Sequence, residues 1–245
     1  MVTVVNYDLN YDKAKLCKAN LGTDVDSHKE VIDEFIKLYF VFMESNEELI
    51  KFRNSDTDLW WKYTNENVYG KTHQLRISHN NSEIILRGDT IGTYKILKNR
   101  FQNKSSCLEK LDYNLTMGSM LMIPYMDKEH SINLTRSRQP YNDNFFYFLK
   151  CLQEYYDDCE KQNFELTSCF IATSNFWKLF KTYKDFSSLS ALEMFDESLK
   201  SNPRLALSVN EWQVEDFNKY FDTLNKCIEE RNLVLKKRLE SQITR

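Results

Sequence analysis

The chain has 245 residues and a net charge of −3; 42% of its residues are hydrophobic and 14% aromatic. That length allows a sizeable core, and the slight acidity removes any global electrostatic case for nucleic-acid binding while leaving room for a local basic patch. Five glycines and three prolines are too few turn-formers for a many-stranded barrel or sandwich, so long helices are favoured.

In chain order, residues 1–26 read as irregular with a short strand at Val2–Asn6. Ser27-His28-Lys29-Glu30 then has the form of a capping box, and Val31, Phe35, Leu38, Tyr39 and Phe42 follow at helical spacing to about Ser45. A short helix is expected at Glu47–Arg53. Leu59-Trp60-Trp61-Lys62-Tyr63 suits a strand or the lid of a core. Thr72–Ser78 and Glu83–Arg87 alternate around His79-Asn80-Asn81-Ser82, which predicts a hairpin ended by Gly88-Asp89. Thr90–Arg100 nearly fits a helix face. Met117–Pro124 and His130–Leu134 read as another strand pair.

Pro140 and Asn142 open a strong helix whose stripe is Phe145, Phe148, Leu149, Leu152, Tyr155, Tyr156 and Cys159. Two shorter helices are expected at Ser174–Thr182 and Leu189–Leu199, with Pro203 as a break and Leu205–Val209 as a last strand. A long C-terminal helix, about 214–240, carries Phe217, Tyr220, Phe221, Leu224, Cys227 and Ile228, then turns basic at Lys236-Lys237-Arg238. Its end beyond Arg231 is expected to project from the body or to pack on a second copy as a homodimer. The architecture expected is α+β: one domain over residues 1–245, a small antiparallel sheet packed against several helices, and a helix-rich C-terminal half.

Six cysteines, Cys17, Cys107, Cys151, Cys159, Cys169 and Cys227, form no CxxC pair. They are expected as reduced, buried thiols, with no disulfide and no structural zinc. No window approaches the roughly 18 apolar residues of a membrane span, and the amino terminus has no basic leader. The expectation is a cytoplasmic protein with no membrane contact. The skew toward Lys, Asn, Ile, Tyr and Phe suggests a low-GC bacterial or phage genome.

The order of short motifs resembles an uncharacterised bacterial domain-of-unknown-function family that carries an Ile-Asn-x-x-Arg-Gly motif. The matching residues are Asp24-Val25-Asp26-Ser27-His28, Gly88-Asp89-Thr90-Ile91, Gly118 to Pro124 and Ile132-Asn133-Leu-Thr-Arg136. Asp143 and Cys151, the Phe176–Phe186 aromatic run and Arg231-Asn232 complete the set. Two positions depart from the pattern: Val25 stands for the family's Pro, and Ser137 for the Gly after the motif arginine. The resemblance implies candidate residues and no chemistry.

The richest polar junction is Ser131 to Arg138. Arg136 and Arg138 fall on one side of an extended segment and could grip a phosphate or carboxylate bidentately, with Asn133 orienting the substrate and a nearby helix N-terminus adding donors. The competing reading is a buried Arg–Asp pair, with Asp89 or Asp143, plus one solvated arginine. Asp26 and Asp89 are carboxylates available to orient His28 for acid–base work, although Asp26 and Ser27 also suit a helix start. His73 and His79 are separated by apolar residues and make no metal pair. No Walker loop, Gly-x-Gly-x-x-Gly, Gly-x-Ser-x-Gly or His-Glu-x-x-His is present, so no metal or cofactor is expected.

Two functions fit this inventory. One is an enzyme acting on a nucleotide or nucleic acid, a nuclease or a nucleotidyl- or ADP-ribosyl-type transferase, in a toxin-like or phage-defence setting. The other is a non-enzymatic module that binds a protein partner through its helical surface.

Overall fold

A computed structural model describes residues 29–56, 58–64, 74–79, 82–91, 117–125, 144–157, 166, 170–171, 173–208 and 211–243. Four strands, β1 (Trp60–Thr64), β2 (Gln74–His79), β3 (Ser82–Thr90) and β4 (Met120–Tyr125), form an antiparallel meander in the order β1-β2-β3-β4. His79 pairs with Ser82, leaving Asn80 and Asn81 between them, the length of a tight hairpin loop. β3 does not stop at Gly88-Asp89 as the sequence suggested. It runs on to Thr90 because β4 pairs with it from Ile85 to Thr90.

Directly paired residues share a sheet face. Trp61, Ile77 and Ile84 therefore stand together, as do Leu75, Leu86 and Pro124, and Gly88 with Met122. Helix α1 (Lys29–Ser45) lies on this face with Phe35, Leu38, Tyr39, Phe42 and Met43 buried, the three- and four-residue spacing of one helix side. A Cβ at Gly88 would come within 3.1 Å of the Phe35 ring and 2.8 Å of Met120 Cε, so the glycine makes room for α1. Helix α2 (Glu47–Ser55) follows after a one-residue break at Asn46, whose side chain accepts from Leu49 N–H as the N-cap.

The C-terminal half is helical: α3 (Phe145–Asp157), α4 (Ser174–Trp177), α5 (Tyr183–Ser190), α6 (Glu193–Ser201) and α7 (Val214–Ile243). Their shared core is aromatic. Phe195 meets Phe145 edge-on at 5.2 Å, Tyr220 meets Phe146 at 5.5 Å, and Trp177 and Phe186 pack at 5.3 Å. One continuous cluster of buried side chains runs from Phe35 to Leu239, so sheet and helices share it.

Several boundaries differ from expectation. The predicted Ser174–Thr182 helix is only the single turn of α4. The predicted Leu189–Leu199 helix is divided by Ala191, a left-handed C-cap at φ 54° and ψ 58°, into α5 and α6. Of the strand expected at Leu205–Val209, the described residues 205–208 form none; Pro203–Ala206 forms a 3-10 turn that leads toward α7. The end of α7 does not project. Arg231, Leu235 and Leu239 are buried, and Arg238 Nη1 donates to Leu189 O at 2.9 Å. The expected elements at Val2–Asn6, Thr90–Arg100 and His130–Leu134 lie outside the described residues, apart from Thr90 and Ile91. Among the described residues no helix is long and apolar enough to cross a membrane.

Candidate functional site

Five of the six site candidates, Asp26, His28, Asn133, Arg136 and Arg138, lie outside the described residues. Asp89 is placed through its backbone, in β3 opposite Leu121, at the end where β4 begins. The Ser131–Arg138 segment follows β4 at its other end, where Tyr125 pairs with Ile85. Ile85 and Asp89 are four residues apart along β3, about 13 Å at roughly 3.3 Å per residue. The segment must fold back over that length for Arg136 to meet Asp89.

The helix that follows the segment offers less to an anion than the sequence suggested. Asn144 is buried at the start of α3, where its Oδ1 accepts from Tyr147 N–H at 3.0 Å and its Nδ2 donates to Leu205 O and Leu207 O. Phe145 N–H donates to the Tyr220 hydroxyl at 3.0 Å. Two of the helix's free N–H donors are therefore engaged by the protein itself. The same asparagine ties α3 to the 3-10 turn before α7.

Two of the resemblance motifs meet in space. Arg231 is fully buried; its Nε donates to Ser190 O at 2.9 Å, and its Nη1 to Gly118 O at 2.7 Å and Met120 O at 2.5 Å. Asn232 Oδ1 accepts from Gly118 N–H at 2.6 Å. A Cβ at Gly118 would lie 2.5 Å from Ile228 O, so α7 passes directly against this backbone. Burial pulls the Arg231 pKa down to about 9, which still leaves a cation at neutral pH. Gly118 and Arg231-Asn232 form a latch between β4 and α7, and Cys151 is a buried core thiol. All of these have structural work.

The described histidine, His79, was set aside in the sequence as half of an improbable metal pair. It is buried at the end of β2, with Nε2 2.9 Å from Asp56 Oδ2 and the Phe52 ring edge-on at 5.8 Å. That hydrogen bond, with backbone N–H groups behind it, holds the Asp56 carboxyl below its usual range. His79 Nδ1 is buried without a hydrogen-bond partner among the described residues. Close by in the fold, Glu44 Oε1 accepts from Arg53 Nη1 and Trp61 Nε1, each at 2.6 Å, and the Arg53 guanidinium stacks 4.5 Å over the Trp61 ring. The Asp–His spacing is that of an oriented general base, with the imidazole buried and the Asp56 carboxylate partly exposed. No signal in the sequence joined Asp56 to a histidine 23 residues away.

A second carboxylate is more enclosed. Asp196 accepts from the Tyr183 hydroxyl and Ser187 Oγ at 2.5 Å each, and from Gln153 Nε2 at 3.1 Å. Burial raises its pKa against the pull of those donors. The cluster joins α3, α5 and α6 and reads as a polar staple.

Two surface clefts lie among the described residues. One, of about 130 Å³, lies beside Trp212 and Tyr220 and is crossed by the Arg204–Asp216 pair. The other, of about 290 Å³, lies between the α1–α2 junction and α5 and is lined by Phe42, Ser45, Asn46, Ser188, Leu189 and Arg238. Among the described residues no group of three His, Cys, Asp or Glu side chains could hold a metal.

A model described as a family of unknown function, DUF6994, matches residues 5–238. No curated protein and no solved structure matches the chain. The match spans nearly the whole sequence, through the sheet, the latch and most of α7, and on that ground the chain belongs to the family of unknown function DUF6994.

Proposed function

We propose that this protein is an enzyme acting on a phosphate-bearing substrate, a nucleotide or nucleic acid. Arg136 and Arg138 would hold the phosphate, Asn133 would orient the substrate, and His28 with Asp26 or Asp89 would supply acid–base chemistry. One observation carries the proposal: the residue types of the polar motif positions. Gly88, Gly118, Cys151, Phe176, Phe186, Arg231 and Asn232 are all explained by packing or by the latch. Among the remaining motif residues, Asp26, His28, Asp89, Asn133 and Arg136 are polar types that phosphate chemistry uses.

The test is binding and turnover of mononucleotides and short oligonucleotides by the parent and by Arg136→Ala, with thermal unfolding measured alongside. Binding and turnover lost with the melting temperature intact supports the proposal. A variant that fails to fold identifies Arg136 as a buried structural partner, whose loss strands a charge at about 3–5 kcal/mol.

The alternative, a protein-binding module, has one observation in its favour. Leu233 is 61% exposed on the outer side of α7, with Lys236 and Lys237 exposed beside it. Leu235 and Leu239, by contrast, are buried within the chain. Dimerisation through that apolar face is therefore not part of the proposal.

A further inference from the structure

The larger of the two clefts is lined by Phe42, Ser45, Asn46, Ser188, Leu189 and Arg238. Its walls come from three places far apart in sequence: the end of α1 with the α2 cap, α5, and the last turns of α7. Arg238 stands at its inner side. Nη1 is fixed on Leu189 O at 2.9 Å, and among the described residues the carboxylate paired with the guanidinium is Glu193, a loose 3.8 Å from Nη2. Arg231 lies one heptad earlier on the same side of α7, and each arginine feels the charge of the other. Tyr39, packed between α1 and this seam, offers no negative charge, because burial pushes its hydroxyl pKa up to about 12. Two arginines thus share a partly desolvated region in which, among the described residues, Glu193 is the one weakly placed counter-charge, and burial lowers the pKa of both.

Besides Leu189 O and Glu193, the cleft beside Arg238 is lined by two side chains that can donate, Asn46 and Ser188. Asn46 Oδ1 is committed to Leu49 N–H as the cap of α2. The cap settles the orientation of the amide, so its nitrogen is the end left for the cleft. Among the described residues neither Asn46 Nδ2 nor the Ser188 hydroxyl has a hydrogen-bond partner. Of the two acids in the first turn of α2, Glu48 pairs with Lys51 at 2.9 Å and with Lys181 at 3.7 Å, and Glu47 follows Asn46 directly.

We propose that this cleft is an anion site for a phosphate group, held by the Arg238 guanidinium, Asn46 Nδ2 and Ser188 Oγ. The remaining N–H groups of the Arg238 guanidinium, an amide N–H₂ and a hydroxyl match the acceptor-only oxygens of a phosphate, which would compete with the loosely held Glu193. The site is independent of the Asn133–Arg136–Arg138 segment and stands or falls separately. A free phosphate and the phosphate of a mononucleotide would both fit the three donors.

The test is calorimetric titration of the full chain with inorganic phosphate and with a 5′-mononucleotide, at constant ionic strength in chloride. The decisive variant is Asn46→Asp. Aspartate keeps the N-cap oxygen for Leu49, so α2 is retained, but it replaces the donor with a negative charge. Phosphate affinity is expected to fall about tenfold or more in Asn46→Asp and in Arg238→Gln, the equivalent of one charge-assisted hydrogen bond. The melting temperature of Asn46→Asp in phosphate-free buffer should match the parent. Equal binding of phosphate and mononucleotide marks free phosphate as a sufficient ligand. Tighter binding of the mononucleotide, lost in the same two variants, marks a phosphomonoester. If the parent does not bind either probe, or both variants bind as the parent does, the site is refuted. If binding is lost in Arg136→Ala and kept in Asn46→Asp, this proposal fails and the functional one stands.

Discussion

Removing the Arg231 guanidinium leaves the carbonyls of Gly118, Met120 and Ser190 buried without their donor. Arg231→Leu is expected to destabilise by about 3–5 kcal/mol, measured by urea denaturation. Arg231→Lys should recover only part of this, since one ammonium cannot span the separate positions of Nε and Nη1. Asn232→Ala removes the acceptor for Gly118 N–H and should cost about 1–3 kcal/mol. Gly118→Ala is expected to be worse, and Asn232→Ala should not rescue it. The nearest atom to the added methyl is the Ile228 backbone oxygen at 2.5 Å, which a change at Asn232 does not move. Full rescue in the double variant would show that the asparagine side chain alone sets the clearance. The residue type and the late position of Arg231-Asn232 could be read in the sequence. Their partner could not, because the contact joins positions 113 residues apart and leaves no local pattern.

Among the elements, α7 departs most from expectation. Its 30 residues span about 45 Å, and length alone argued for a projecting end. The stripe had already given the answer: Leu235 and Leu239 continue the phase of Leu224 and Ile228, and all four are buried. Truncation after Asn232 removes both leucines and the Arg238 bond to α5. It should therefore destabilise by about 3–6 kcal/mol, taking 1.5–3 kcal/mol per buried leucine, or leave the protein insoluble. A truncated chain with an unchanged unfolding midpoint would return the helix end to the surface. α1 is legible from its long hydrophobic period and the β2–β3 hairpin from its alternation, whereas α2, nine residues with Leu49 buried, is legible from its Asn46-Glu47-Glu48 start. The Leu189–Leu199 helix was misread because Ala191 adopts a left-handed cap normally signalled by glycine. The start of α5 carried a readable signal that went unused, since Thr182 and Asp185 form a capping box in which each side chain accepts the other's backbone N–H. Asn46, the cap of α2, was equally readable as Asn-Glu-Glu; its spare amide nitrogen was not, because only the fold brings it to Arg238.

For the molecule as a whole, pH reaches stability through carboxylates of opposite character. Burial raises the Asp196 pKa above 3.8, so the folded state keeps a proton that the unfolded chain has released. Its contribution therefore favours the fold at low pH and declines as pH rises from the ordinary carboxylate value through the raised one. Asp56 and Asp216 are held below their usual range, and their contribution is present above it and lost on acidification. Asp196→Asn should remove the first trend and leave the second. The stability of the variant relative to the parent is then expected to climb as pH rises through the carboxylate range, measured by urea denaturation at a series of pH values. A relative stability that falls instead would mean that the three donors outweigh burial at Asp196. The latch has a consequence for biosynthesis. The sheet's fourth strand enters at Gly118, but the groups that fix that entry are made more than a hundred residues later. Sheet and helices share one core, so the nascent chain cannot close it when β4 emerges; it must hold an unfinished, aromatic-rich half until α7 has left the ribosome. Translation arrested before Arg231 should yield a protease-sensitive chain, and arrest after α7 has emerged a resistant one, which makes this late helix the step at which the fold is committed.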